Sequence, residues 1–234
     1  MKSFLKQALK LPAAAALMAC GMISAQALEA YSATYFFDIG GKYRGNATRE
    51  LVKTDTDKWL YQFKSSIPVV GSAKQKSVFT EKDGQIKPLS SQTKYKILFY
   101  KKQSDLVFDY ANKQLRTTED GTKKTYPLNQ PAYDDMSIEI KLREDLKAGK
   151  LKSSYWLADE DGIEQMKLIN HGKTTIKVPA GTYEVLKLEK KHSNPKRKTF
   201  FWIAPSLDYM PVRVMQDDKG KIYDSQLISI DTKG

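Results

Sequence analysis

Cysteine is almost missing from this chain: Cys20 is the single example in 234 residues. Beyond that position a disulfide scaffold, a thiolate zinc site and a thiol-based enzyme are all excluded. Histidine is nearly as scarce, with only His171 and His192. Neither sits in a recognisable cluster of ligand-type residues, so no metal site is expected. A serine triad would need one of them as its base, and no G-x-S-x-G elbow occurs. Walker A and dinucleotide-binding glycine patterns are absent too, which leaves nucleotide chemistry and cofactors without support. After residue 27 no stretch approaches the roughly 20 apolar residues of a membrane-spanning helix.

What is present is basic and globular. Lys and Arg number 39 against 27 Asp and Glu, a formal charge of +12, and hydrophobic residues make up 41%. That composition supports a sizeable core in a single domain, and excludes disorder and coiled coil. The first 27 residues stand apart. Lys2, Lys6 and Lys10 precede an uncharged run from Leu11 to Ile23, followed by the small residues Ala25 and Ala27. This is the three-part pattern of a secretory signal, with cleavage expected after Ala27. Leu17-Met18-Ala19-Cys20-Gly21 also resembles a bacterial lipobox, so a lipoprotein anchored through Cys20 is the alternative to a soluble periplasmic protein. Nucleic acid is not an expected partner in that compartment.

Residues 28–234 read mostly as strands. Tyr31, Ala33, Tyr35 and Phe37 alternate with polar residues, as do Trp59, Tyr61, Phe63 and Ile67, and period two is the signature of a half-buried strand. Asp83-Gly84, Asp120-Gly121, Asp161-Gly162, His171-Gly172 and Lys219-Gly220 punctuate these runs as short turns. One helix is predicted, from about Asp135 to Ala148. Asp134 or Asp135 caps it, Ile138, Leu142 and Leu146 form its apolar face, Glu139 and Arg143 pair on its surface, and Gly149 stops it. The expected fold is mainly β: a single strongly curved antiparallel sheet, or open barrel-like fold, with that helix covering an open side.

Three groups of residues are candidates for function. Lys190, Lys191, Lys196, Arg197 and Lys198 flank the turn Asn194-Pro195 and form a basic hairpin tip, suited to anionic lipid headgroups or acidic glycans. Tyr95 and Phe99 belong to a nearly continuous apolar run that, if covered on both faces, could line an interior for an acyl chain. The carboxylates Asp134-Asp135 and Asp159-Glu160-Asp161 could serve a glycan hydrolase if two of them faced each other across a cleft. Their simpler roles are a helix cap and an acidic turn, so no catalytic residue is assigned. Both histidines read as solvated loop residues.

The stretch Pro179-Ala180-Gly181-Thr182-Tyr183 and the stretch Trp202-Ile203-Ala204-Pro205, continuing through Leu207, Tyr209, Pro211, Val212 and Arg213, form a distinctive pair. With Asp135-Met136-Ser137 and Gly45 they resemble DUF3108, a Gram-negative envelope family of unknown function. The resemblance spans essentially all of residues 28–234. It implies a periplasmic protein with a strongly bent antiparallel sheet, similar in shape to outer-membrane lipoprotein carriers, and it carries no catalytic residues. Both motifs read as corners of the fold. The expected function is non-enzymatic binding of an amphipathic envelope component (lipid, lipoprotein or glycan). The alternative is a scaffold that binds another protein through its surface or a sheet edge.

Overall fold

The computed structural model describes residues 28–192 and 194–232. The expected export signal and the lipobox-like stretch at Cys20 lie outside the described residues. Fifteen strands follow the alternation of Tyr, Phe, Val, Ile and Thr that suits a pleated, half-buried surface. A first meander runs through β1 (Tyr31–Ile39), β2 (Tyr43–Lys53), β3 (Lys58–Ile67), β4 (Gly71–Lys82), β5 (Gln85–Ile97), β6 (Tyr100–Asp109), β7 (Gln114–Glu119) and β8 (Thr122–Pro127). The chain then crosses through β9 (Ala132–Tyr133) and α1 (Ser137–Lys147). A second meander follows: β10 (Ser154–Asp159), β11 (Gly162–Val178), β12 (Gly181–Lys191), β13 (Arg197–Ala204), β14 (Met210–Asp218) and β15 (Lys221–Thr232).

Pairing of β1 with β15, from Tyr31↔Thr232 to Ile39↔Tyr223, fuses the two meanders into one sheet with β8 and β9 at its edges. All neighbours are antiparallel except β9 and β10. Register shifts in β1, β4, β11 and β13 bend the strands, because a bulged strand kinks and twists more strongly. The edges are not hydrogen-bonded to each other, so the barrel is unclosed. Side chains hold that seam. Leu106, Phe108, Leu115, Leu128, Ala132 and Ala158 form a separate buried cluster, and Lys102 reaches both Glu119 and Glu160 at 2.6 Å. Gly162 admits the Tyr126 ring, which would lie 3.2 Å from any Cβ there.

At Asp83-Gly84, Asp120-Gly121 and Lys219-Gly220 both turn residues take positive φ, the backbone of the tight hairpin whose twist matches the strands. His171-Gly172 behaves differently from its expected role as a turn. It forms a bulge inside the 17-residue β11, with Gly172 at φ 83° and its N–H donating to Asn170 Oδ1 at 2.8 Å.

The helix forms where the sequence places it, two residues shorter at its start. Asp134 Oδ1 accepts from the N–H groups of Met136 and Ser137 at 3.0 and 3.2 Å, while Oδ2 accepts from Ser137 and Ser77 hydroxyls at 2.6 and 2.8 Å. At the other end Gly149 N–H donates to Leu146 O and Lys150 N–H to Asp145 O, closing a Schellman stop on the left-handed Gly149. Burial goes further than a single apolar stripe. Ser137, Ile138, Ile140, Lys141, Leu142, Arg143, Glu144 and Asp145 are all buried, so the sheet curls around the helix. Charged groups enter the interior with it, each paired, because an unpaired buried charge is prohibitively costly.

Candidate functional site

Between α1 and the wall formed by β10 to β14 lies a cavity of about 430 Å³, inside the range of roughly 300–1,000 Å³ that holds small-molecule ligands. Its lining is mixed, and the apolar part comes from Met136, Ile138 and Leu142 of the helix and from Leu157, Met166 and Ile203 of the sheet. Those faces are dictated by strand alternation: Phe201 and Ile203 turn inward, while Trp202 between them packs on the outer side with Phe200, Lys187 and Arg213.

The inner end of the cavity is ionic. Glu139 accepts from the Arg49 guanidinium and from the Tyr61 hydroxyl, and Tyr31 donates to Tyr61 at 3.0 Å. The Arg49 guanidinium lies 5.5 Å from the Tyr35 ring centre and 5.3 Å from that of Phe63. One turn along the helix, Arg143 donates through Nε to the carbonyl of Asp208 at 3.1 Å and through Nη2 to its carboxylate at 2.8 Å. Lys147 reaches the same carboxylate at 2.7 Å. Asp208 and Tyr209 both hold left-handed backbone, φ 52° and 56°, a strained pair that the Arg143 clamp keeps in place. Burial pushes the hydroxyls of Tyr31, Tyr35 and Tyr61 up, so all three remain protonated donors. Two donors in this cluster have no partner: Arg49 Nε and Arg143 Nη1 are buried and unsatisfied, and both residues line the cavity.

The mouth is mixed in charge, with Lys190, His192 and Arg197 standing among Asp135, Asp159 and Glu164. His192 Nε2 is 2.8 Å from Thr199 Oγ1, and Arg197 donates to Gln216 at 3.1 Å. Burial, and then the charges of Lys190 and Arg197, push the His192 imidazole down to about 4. The unfolded chain, near 6.5, takes up a proton in a range where the folded chain refuses it. His192 therefore contributes stability that is complete above about pH 6.5 and lost as pH falls toward 4. The melting temperature of the parent should fall between pH 7 and 4 more steeply than that of His192→Gln, measured by circular dichroism. Parallel profiles would show that the imidazole is not held neutral.

The structure divides the sequence-predicted basic run. Lys190 and Arg197 face the cavity mouth, whereas Lys191 pairs with Glu189 at 3.2 Å on the outer side and Lys196 and Lys198 are exposed. Each histidine meets half of the expected role: His171 is exposed but sits in the β11 bulge, 2.8 Å from Glu189, while His192 is a loop residue that is half-buried and lines the mouth. Tyr95 and Phe99 do not line this interior. Tyr95 is half-buried beside a separate shallow groove, and Phe99 is fully exposed. The apolar run around them is not one doubly covered strand but a hairpin, β5 to β6, whose tip is exposed to solvent. The motif residues are architectural. Pro179 and Gly181 turn β11 into β12, where Ala180 N–H donates to Leu227 O at 2.9 Å. Pro205 opens the short 3-10 turn Pro205–Leu207, the carbonyl of Pro211 accepts from Tyr35 at 2.9 Å, and Arg213 forks onto Asp224 at 2.8 and 2.9 Å while covering the Trp202 ring. Tyr209 and Pro211 among them also line the cavity.

Arg49, Glu139, Tyr61 and Arg143 were not legible as a site. Glu139 and Arg143 carry the spacing of a surface ion pair, and only the curl of the sheet around α1 separates them onto different partners. Among the described residues no group of three His, Cys, Asp or Glu side chains is placed to hold a metal ion, and no helix is long and apolar enough to cross a membrane.

Fold and cavity together define an open, barrel-like β protein wrapped around one helix, with a polar-floored internal cavity. The chain belongs to the protein family of unknown function DUF3108, whose profile matches residues 30–223. Among solved structures it is similar to the beta-barrel-like protein of the domain of unknown function DUF1849 from Brucella abortus. That likeness has a TM-score of 0.59 at 11% identity, covering 88% of this chain and 98% of the other. At that identity the likeness is one of fold. No curated protein matches the chain.

Proposed function

We propose that this protein is an exported, non-enzymatic binder of an amphipathic envelope component, held in the cavity between α1 and β10 to β14. The carrying observation is the cavity itself, about 430 Å³, which sets an apolar patch of Ile138, Leu142 and Met166 beside the cationic residues Arg49, Arg143, Lys190 and Arg197. Cationic side chains beside an apolar patch favour a ligand that brings both an apolar part and oxygen acceptors. The apolar part of such a ligand would lie against Ile138, Leu142 and Met166, and anionic groups near the mouth would meet Lys190 and Arg197. A lipid or acylated glycan fits that polarity better than a free sugar. The signal-like pattern of residues 1–27 supports export to the periplasm. The binding role is further supported by the state of the buried carboxylates: Glu139 is held by Arg49 and Tyr61, and Asp134 by four donors.

The test is lipid extraction and mass spectrometry of the exported protein, paired with uptake of a fluorescent fatty acid. Parent protein should yield a bound amphiphile and take up the probe. Leu142→Trp, which fills the cavity, should abolish both, and the double variant Lys190→Gln/Arg197→Gln should weaken uptake about tenfold or more, as expected for two charge-assisted contacts. A parent protein that carries nothing and ignores the probe would overturn the reading.

A further inference from the structure

Antiparallel order sends the turns 68–70, 98–99 and 192–196 to the same end of the sheet. Five of the ten exposed large hydrophobic residues of the described chain gather there on two adjacent turns: Val69, Ile97, Leu98, Phe99 and Tyr100. Val69 and Phe99 are 96% and 102% exposed. The two turns form a unit, because Leu98 N–H donates to Val70 O at 2.9 Å and Gly71 lets β4 press against β5, where a Cβ would meet Lys96 O at 2.0 Å. Val69 holds φ 65° and Leu98 φ 52°. A β-branched residue in left-handed backbone is a true outlier, and here no packing compensates the strain.

The strands behind this tip carry a second anomaly. Lys64 stands directly opposite Lys74, Lys74 opposite Lys94, and Lys96 opposite Lys101, all on the outer face of β3 to β6. Like charges directly opposite one another destabilise a sheet, and none of these five forms an ion pair among the described residues. The acidic groups at the margin are engaged elsewhere: Asp120 accepts from Gln103 N–H, and Asp105 from Gln92 and Gln103. Lys96 and Lys101 flank the apolar tip directly, and Lys74 and Lys94 sit about 7 Å further back at the strand rise.

We infer that the β3–β4 and β5–β6 hairpin ends form a docking face for an anionic bilayer surface. Val69, Leu98 and Phe99 enter the interfacial layer, and the five lysines lie over anionic headgroups. Charge complementarity selects this occupant. An apolar tip backed on one face by five lysines, none in an ion pair among the described residues, matches the headgroup-to-acyl boundary, where shallow apolar burial and electrostatic attraction act together. The inference stands apart from the cavity and holds whether or not the cavity takes a ligand.

Co-sedimentation with vesicles tests it, using phosphatidylglycerol mixed with phosphatidylethanolamine against phosphatidylcholine alone. Parent protein should bind the anionic vesicles at low salt and leave the zwitterionic ones. Changing Lys64, Lys74, Lys94, Lys96 and Lys101 to Gln should reduce that binding about a hundredfold or more, while the melting temperature stays level or rises as the cross-strand repulsion is relieved. The variant Val69→Ser/Leu98→Ser/Phe99→Ser should also lose binding at unchanged stability. Lys191→Gln/Lys196→Gln/Lys198→Gln, at the neighbouring hairpin, should bind as the parent does. Phe99→Trp should shift its emission to the blue with anionic vesicles. Failure of the parent to bind, equal binding by the five-lysine variant, or self-association through the tip in the absence of lipid would each overturn the docking face.

Discussion

Replacing Glu139 with leucine is expected to cost about 3–5 kcal/mol of folding stability, the penalty for stranding a buried charge. The carboxylate is the acceptor for both the Arg49 guanidinium and the Tyr61 hydroxyl, and its side chain and that of Arg49 are only 15% and 13% exposed. Arg49 already has one buried N–H without a partner, so losing Glu139 leaves its charge with the Tyr61 oxygen at 3.3 Å and two aromatic faces. The cost comes from the orphaned cation rather than from the pair's own attraction. The double variant Arg49→Leu/Glu139→Leu should therefore recover most of the loss, since apolar groups of similar volume replace buried ion pairs at little cost. Urea denaturation of the parent, both single variants and the double completes the cycle. A single variant as stable as the parent would mean that Arg49 finds water, and that the interior is wetter than its burial indicates.

Trp202→Ala should be comparably damaging, at roughly 3–5 kcal/mol for truncation of a buried aromatic. The ring is 7% exposed, lies 6.0 Å from the Phe200 ring, and has the Arg213 guanidinium and Lys187 ammonium at 4.9 and 5.5 Å. Removing it uncovers Arg213, whose fork onto Asp224 ties β14 to β15. Because Trp202 faces away from the cavity, the fraction that remains folded at low temperature should take up a fatty-acid probe as the parent does. Normal melting with lost uptake would make Trp202 a recognition residue instead of an anchor.

The two motifs between Pro179 and Arg213 explain why this region was so readable. Pro205, Pro211 and Gly181 impose local backbone geometry, and local geometry is encoded by residue type at fixed spacing. Asp134 as a cap and Gly149 as a stop are legible for the same reason. The Glu139–Arg143 pair failed because i, i+4 spacing describes an exposed helix, whereas this helix is enclosed: Glu139 finds its partner on β2 and Arg143 in the turn before β14. Phe99 failed because continuous apolarity has two physical readings, a strand covered on both faces and a tip covered on neither. Composition does not separate them.

The sequence by itself determined the strands, the helix ends, the hairpin turns and the family, because each depends on side-chain alternation or on backbone preferences within a few residues. Only the tertiary structure decided what lies inside. Pairing β1 with β15 and curling the sheet around α1 bring Arg49, the helix residues Glu139 and Arg143, and Asp208 together from three distant segments. Strand register aligns Lys64, Lys74 and Lys94 across three strands. Those arrangements are set by register and closure, which are sums over long-range contacts and leave no periodic mark in the chain.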